Sequence, residues 1–275
     1  MCELFCLSSR LPAQATFSLR HFAAHGAPGG RNVDGWGVAF HEGRDIRLYK
    51  EPEPAEDSPW MVFIEQRALP TRLLISHIRR ATMGANSHAN TQPFARELGG
   101  RMHLFAHNGG FDEIAAKYAA SAAKAGHRFH PVGETDSEMA FCLLLERLAP
   151  LWEAAAAPPL AARHEAFAAF AAEMRPLGIA NFLYSDGEFV FGHGHRRTQA
   201  DGVVAPPGLW CRHRHRPHIY PAGTPAPPGV AITADTADQE VTLLASVPVT
   251  EGDWRPLGEG EIVVVAAGEL VQPAS

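Results

Sequence analysis

Four short stretches of the chain carry residue types that could do chemistry. The first is Cys2, directly after Met1. A Met before a small residue is trimmed, and trimming leaves Cys2 with a free α-amine beside its thiol. A thiol is a poor nucleophile while protonated, with a reference pKa of ~8.5, whereas an α-amine of pKa ~7.7–8.0 can act as a base near neutrality. Nucleophile and base would then belong to one residue. Taken alone, Cys2 reads more readily as a small apolar residue of a first strand, as Cys6 does. The second stretch is HIRRATMG at 77–84, where Arg79 and Arg80 end an apolar run. An arginine at a strand end can grip a carboxylate through two parallel hydrogen bonds, and Thr82 would add a hydroxyl and an N–H; a solvated pair of charges is the plainer alternative. The third is HNGG at 107–110, read as a polar turn after a strand. The Asn108 amide next to the Gly109 N–H puts two donors near one point, which is what a developing oxyanion requires, although Asn-Gly is also an ordinary turn dipeptide. The fourth is ETDSE at 134–138, where Asp136 at a helix start either caps that helix or pairs with a ligand ammonium.

These stretches need elements to hold them. CELFCL (2–7) reads as a short buried strand, TFSLRHFAAH (16–25) as a helix, and 35–50 as two strands joined at Glu42-Gly43. Ser58 followed by Pro59 predicts a helix start and helix over 58–66. LLISHIR (73–79) and the apolar part of 101–110 are strands, each running into a polar loop. FDEIAAKYAASAAKAG (111–126) favours helix. Thr135 with Glu138 forms a capping-box pattern that starts a second helix near 136. Residues 153–175 predict another helix, broken at Pro158-Pro159. NFLYSDGEFVFGHG (181–194) reads as a hairpin about Asp186-Gly187, and VAITAD, VTLLASVPV and EIVVVAAGELV as three further strands. The Pro-, Arg- and His-rich segment 206–229 reads as an irregular surface excursion, and HGHRR at 193–197 as solvated surface. Strands, then helices, then strands predict an α+β fold, organised as one domain over 1–275.

Composition narrows the classes. With 46% hydrophobic and 20% charged residues the chain can bury a core without disulfides or metal. A net charge of -6 argues against nucleic acid or an anionic membrane as partner. Four scattered cysteines without a CxxC pair signal neither a disulfide framework nor a zinc site. The His/Arg run at 211–218 matches no established metal-ligand spacing, so no metal or other cofactor is expected. No signal peptide and no run of ~18 apolar residues is present, which predicts a cytoplasmic protein.

In their order, Met-Cys, H-x-R-x-A-T-x-G, N-T-x-P-F at 90–94, H-N-G and E-T-D-S-E resemble the class II glutamine amidotransferases. With DGWG at 34–37 the chain looks closest to their stand-alone YafJ-type members, and it is also similar to γ-glutamyl amidohydrolases of the ergothioneine pathway. The resemblance implies a four-layer αββα sandwich of the N-terminal-nucleophile hydrolases. It implies Cys2 as nucleophile, Asn108 and Gly109 as the oxyanion hole, Arg79 with Thr82 as the site of the substrate α-carboxylate, and Asp136 as the anchor of the α-ammonium. The implied reaction is hydrolysis of the glutamine side-chain amide through a thioester, with ammonia passed to an unidentified synthase partner. Two alternatives stand beside it: hydrolysis of another γ-glutamyl compound with no acceptor, and a non-catalytic amino-acid-binding protein. Gly110 and Arg80 depart from many relatives, which carry a larger residue and an aromatic one there.

Overall fold

The computed structural model describes residues 2–14, 33–56, 58–154, 157–215, 238–249 and 251–273. In chain order the elements are β1 (Glu3–Ala13), β2 (Trp36–Glu42), β3 (Asp45–Glu51), α1 (Pro59–Arg67), β4 (Thr71–Ile78), β5 (Phe94–Leu98), β6 (Arg101–Phe111), α2 (Ile114–Ala125), α3 (Asp136–Ala154) and α4 (Leu160–Met174). They continue with β7 (Gly178–Ser185), β8 (Val190–His193), β9 (Arg197–Thr198), β10 (Val204–Ala205), β11 (Trp210–His215), β12 (Glu240–Ala245), β13 (Arg255–Pro256), β14 (Ile262–Ala266) and β15 (Glu269–Val271).

One sheet runs β13-β11-β12-β1-β4-β2-β3 and a second runs β15-β14-β8-β7-β6-β5. The strands are apolar on both faces because each sheet is covered twice. In β1, Leu4 and Cys6 point between the sheets with Ile75, Ala106, Leu183 and Leu244. Phe5 and Leu7 point the other way, onto a core that includes Trp36, Val38 and, from α1, Met61 and Ile64. On the outer face of the second sheet Phe105, Phe182 and Phe191 pack against Phe141, Leu145 and Leu148 of α3 and Phe167 and Phe170 of α4. The layers are therefore helix, sheet, sheet, helix, the expected sandwich. Each fully buried side chain of this size contributes ~1.5–3 kcal/mol.

Several local expectations hold. Ser58 caps α1, its hydroxyl accepting the Met61 N–H at 3.3 Å, and Pro59 opens the helix. The hairpins at Glu42-Gly43 and Asp186-Gly187 form.

Others need correction. HNGG is not a turn: residues 107–110 lie inside β6, which continues to Phe111 paired with Gly178. Residues 153–154 belong to α3, which accommodates Pro150, and the next helix starts only at Leu160. The last predicted strand is a hairpin, β14-β15, turned by Ala267 and Gly268, both at positive φ (46° and 82°). Within the supposed excursion, Trp210–His215 is a strand between β12 and β13, with Cys211 buried between the sheets. Its alternation is masked in the sequence by arginine and histidine on the other positions. His193 and His195 are buried, not solvated. The helix predicted over 16–25, the strand VAITAD and residues 216–229 lie outside the described residues.

Candidate active site

One end of the sandwich gathers the start of β1, the end of β4, the end of β6, the start of β7 and the N-terminus of α3. Antiparallel pairing dictates this. Glu3 opposes Ile78, so Cys2 meets the residues just after β4, and Phe111 opposes Gly178. A cleft of about 470 Å³ opens there, lined by Cys2, Arg80, Thr82, Asn108, Gly109 and Asp136 together with Met83, Phe111, Asp112, Ile179 and Thr198. A small inner recess continues from it past Arg79, Gln92, His107 and Thr135. The six residues singled out in the sequence thus border this cleft or its adjoining recess.

Cys2 is half-buried. Its Sγ accepts the Arg80 N–H at 3.2 Å and lies 3.3 Å from the Arg80 carbonyl, to which the thiol can donate. Burial pushes the thiol pKa up, opposed by the Arg80 N–H and the nearby Arg79 charge. A thiol held protonated needs a base at hand before it can attack.

Arg79 is buried and its two terminal nitrogens are engaged. They donate to Asn86 Oδ1 at 2.8 Å, to the Met83 and Gly84 carbonyls at 3.0 and 3.3 Å, and to the Asp34 carbonyl at 3.4 Å. Asp34 braces the same loop by accepting from the Ala81 N–H and the Asn86 amide. Arg79 therefore holds the 81–86 loop together, and Thr82 on that loop is exposed to the cleft.

Asn108 and Gly109 lie side by side on β6 beyond the end of β5, whose pairing with β6 stops at Phe94–Phe105. Strand alternation sends the N–H groups of residues 107, 109 and 111 toward the edge β5 has vacated. His107 N–H reaches Gln92 Oε1 at 2.7 Å and Phe111 N–H reaches Asp136 Oδ2 at 2.7 Å. The Gly109 N–H lies between them, facing the same way. Gly109 has φ 155°, and a Cβ there would lie 1.9 Å from the Ile179 carbonyl oxygen, so only glycine fits. Gly110 has no such constraint, the nearest atom to a Cβ being Asp136 Oδ2 at 3.7 Å. The cleft wall at Gly110 is part of strand β6.

Asp136 is the first residue of α3. The helix is capped by its neighbour: Thr135 Oγ1 accepts the Glu138 N–H at 3.2 Å. The other half of the capping box is absent, because the Glu138 carboxylate bonds Arg96 and the Val132 and Gly133 N–H groups instead. Asp136 accepts from Phe111 N–H, Ser137 N–H and the Ser137 hydroxyl. A carboxylate offers about four acceptor positions, so capacity remains for a cation, and the helix N-terminus favours the charge.

Sequence reasoning left His107, Gln92 and Asp34 without roles, although each stands inside a quoted motif. His107 is buried, with both ring nitrogens engaged. Its Nε2 donates to the Ile179 carbonyl at 2.8 Å, its Nδ1 meets the Ser137 hydroxyl at 2.9 Å, and burial lowers its pKa. Stacked on Phe111 at 4.3 Å, it sets the spacing of β6 against α3. Among the described residues no group of three or more His, Cys, Asp or Glu could hold a metal ion. No described helix is long and apolar enough to cross a membrane.

Known proteins share this arrangement of sequence and fold. A family model for class-II glutamine amidotransferases matches residues 1–275. YafJ of Escherichia coli (strain K12), assigned as a glutamine amidotransferase, is 32% identical over 283 residues, spanning 98% of this chain and 100% of its own length. An uncharacterized protein of Methanocaldococcus jannaschii is 27% identical over 280 residues, 98% of this chain and 71% of that protein. The crystal structure of a predicted glutamine amidotransferase from Pseudomonas aeruginosa PA01 superposes with a TM-score of 0.67 at 28% identity, covering 98% of this chain and 100% of the other. The glutamine phosphoribosylpyrophosphate amidotransferase of B. subtilis, complexed with ADP and GMP, gives a TM-score of 0.62 at 14% identity, and this chain spans 48% of it; that likeness is one of fold. Sequence match along the whole length and a shared sandwich agree: the chain belongs to the class-II glutamine amidotransferases.

Proposed function

We propose that the protein hydrolyses the side-chain amide of glutamine, with Cys2 as nucleophile once Met1 is removed. The observation that supports this most is the convergence of Cys2, Arg79, Thr82, Asn108, Gly109 and Asp136 on one cleft and its recess. In this reading the α-amine takes the Cys2 proton and the thiolate attacks the amide carbon. The oxyanion is received by the Asn108 side chain and the Gly109 N–H. The α-ammonium returns its proton to the amide nitrogen, the C–N bond breaks as the oxyanion collapses, ammonia leaves, and water hydrolyses the γ-glutamyl thioester. The substrate ammonium pairs with Asp136. The substrate carboxylate competes for the Arg79 donors that hold the Met83 and Gly84 carbonyls, with Thr82 beside it. The ammonia would serve a synthase partner, and the four free thiols suit a reducing cytoplasm.

A second reading keeps the machinery and changes the leaving group. Beyond the recess the cleft is lined by Phe111, Asp112, Ile179 and Thr198, which is room for an amine larger than ammonia.

The deciding experiment measures intact mass and ammonia release from glutamine on tag-free protein, with γ-glutamyl amides assayed alongside. The expected result is loss of Met1, turnover of glutamine, and none in Cys2→Ala. Asn108→Ala should cost ~3 kcal/mol of transition-state stabilisation, seen in kcat more than in KM. Protein lacking Met1 that cleaves neither glutamine nor any γ-glutamyl amide would refute the proposal.

A further inference from the structure

Both groups assigned above as oxyanion donors are gripped from behind by residues outside the cleft lining, an inference that rests on that assignment. Asn181, fully buried on β7, stands opposite Asn108. Its Nδ2 donates to the Asn108 carbonyl at 3.0 Å and to the Arg196 carbonyl at 2.7 Å, while its Oδ1 accepts the His195 N–H at 2.8 Å. With both ends of the amide used, the side chain cannot turn. Gly208 packs so closely that a Cβ there would sit 1.8 Å from Oδ1. The Asn108 C=O and the Gly109 N–H belong to one planar trans peptide and point in opposite directions. Holding the carbonyl toward β7 therefore aims the N–H toward the cleft. The grip matters at this position because a glycine on one side lets a peptide rotate cheaply.

Ser246, also fully buried, follows β12 in the first sheet and reaches Asn108 in the second. Its Oγ accepts the Leu4 N–H at 2.9 Å and lies 3.0 Å from Asn108 Nδ2; its own N–H donates to the Leu4 carbonyl at 3.0 Å. With Nδ2 on the hydroxyl, Ser246 Oγ receives two donors and Asn108 Oδ1 is buried with no donor. Turning the carboxamide over matches Oδ1 and the hydroxyl. The hydroxyl still accepts from Leu4, now donates to Oδ1, and the freed Nδ2 becomes available as a donor. The two ends of an amide are nearly identical in shape, so hydrogen bonds alone choose between them.

We propose that Asn181 and Ser246 are positioning residues that set the two oxyanion donors, Asn181 through the Asn108–Gly109 peptide and Ser246 through the Asn108 carboxamide. Ser246 also ties Asn108 to the strand that begins at the nucleophile.

The test uses the full chain with Met1 removed and compares wild type with Asn181→Ala, Ser246→Ala and Ser246→Thr, which keeps the hydroxyl. Four quantities are read: thermal unfolding, glutamine turnover, alkylation of Cys2 by iodoacetamide, and inhibition by glutamate γ-semialdehyde. Alkylation needs the thiolate but develops no oxyanion. The aldehyde needs both: its carbon bonds to sulfur, the C=O π pair moves to oxygen as an oxyanion, and the α-amine keeps the thiol proton as an ammonium. The other three cysteines are buried, so alkylation reports Cys2. The Ala variants should lose about 10- to 100-fold in kcat with KM within about threefold. Semialdehyde affinity should fall by the same factor, alkylation should keep its rate, and Ser246→Thr should recover most of the turnover. The proposal is overturned if kcat stays within about threefold of wild type, or if alkylation falls together with kcat, which would mark damage to the nucleophile strand. If wild type alkylates readily at Cys2 yet cleaves no γ-glutamyl amide, the underlying assignment fails and the proposal with it, a result seen before any variant is made.

Discussion

Two neighbouring glycines behave differently under the same change. Gly109→Ala forces a methyl against the Ile179 carbonyl oxygen at a backbone angle L side chains avoid, so we expect a loss of roughly 3 kcal/mol or more in chemical denaturation together with loss of turnover. Gly110→Ala should stay within about 1 kcal/mol and remain active; equal losses at both positions would contradict the assignment. The base proposed for Cys2 carries its own signature. An α-amine must be neutral to accept a proton, so kcat/KM should rise about tenfold per pH unit below ~7.7–8.0 and level off above. A flat profile between pH 6 and 8 would argue against the amine. The residues that touch the cleft were legible in the sequence because their types are chemically marked: a second-position Cys, an Arg after an apolar strand, an Asn-Gly pair. Asn181 and Ser246 were not. Each looks like an ordinary polar residue beside an apolar run, and only the pairing of distant strands brings them behind Asn108.

At the scale of elements, the reading succeeded where a local signal decides and failed where tertiary burial does. The Ser58-Pro59 helix start and the Asp186-Gly187 hairpin are fixed by neighbours in the chain. HNGG carries the same kind of turn signal, yet it is straightened into β6 by pairing with β7. The strand Trp210–His215 was hidden because its polar positions are arginine and histidine, one of them, Arg212, itself buried. The start of α3 shows how an element is set for the site. Glu138, buried, bonds Arg96 and the Val132 and Gly133 N–H groups, fixing the turn that delivers Asp136. Glu138→Ala leaves those donors unmatched and should cost roughly 3 kcal/mol in urea denaturation. It should also raise KM for glutamine more than it lowers kcat, because Asp136 is the displaced group. An unchanged KM would detach this turn from substrate binding.

The whole molecule carries a charge balance that composition conceals. Burial holds His41, His103 and His193 down to a pKa of about 4 and His77 to about 3. The unfolded chain protonates these rings near 6.5 and the folded chain does not, so their contribution to stability is present above 6.5 and is lost as pH falls toward 4. Four such rings remove roughly 5 kcal/mol between pH 7.5 and 5.5, against a typical total of ~5–15. The urea midpoint should therefore drop steeply over that interval, and an unchanged midpoint would mean the rings find partners when charged. A further consequence lies in how the molecule is made. Strand β1 is sandwiched between β4 and β12, and Leu4 meets Ser246 across 242 positions of sequence. A ribosome adding about 5–20 residues per second needs on the order of 12 to 48 seconds to cover that span. For that time the nascent Cys2 has no neighbour from β12 beside it. Under the proposed function, removal of Met1 would proceed then on an open terminus, and turnover would begin only once β12 (Glu240–Ala245) has emerged and paired.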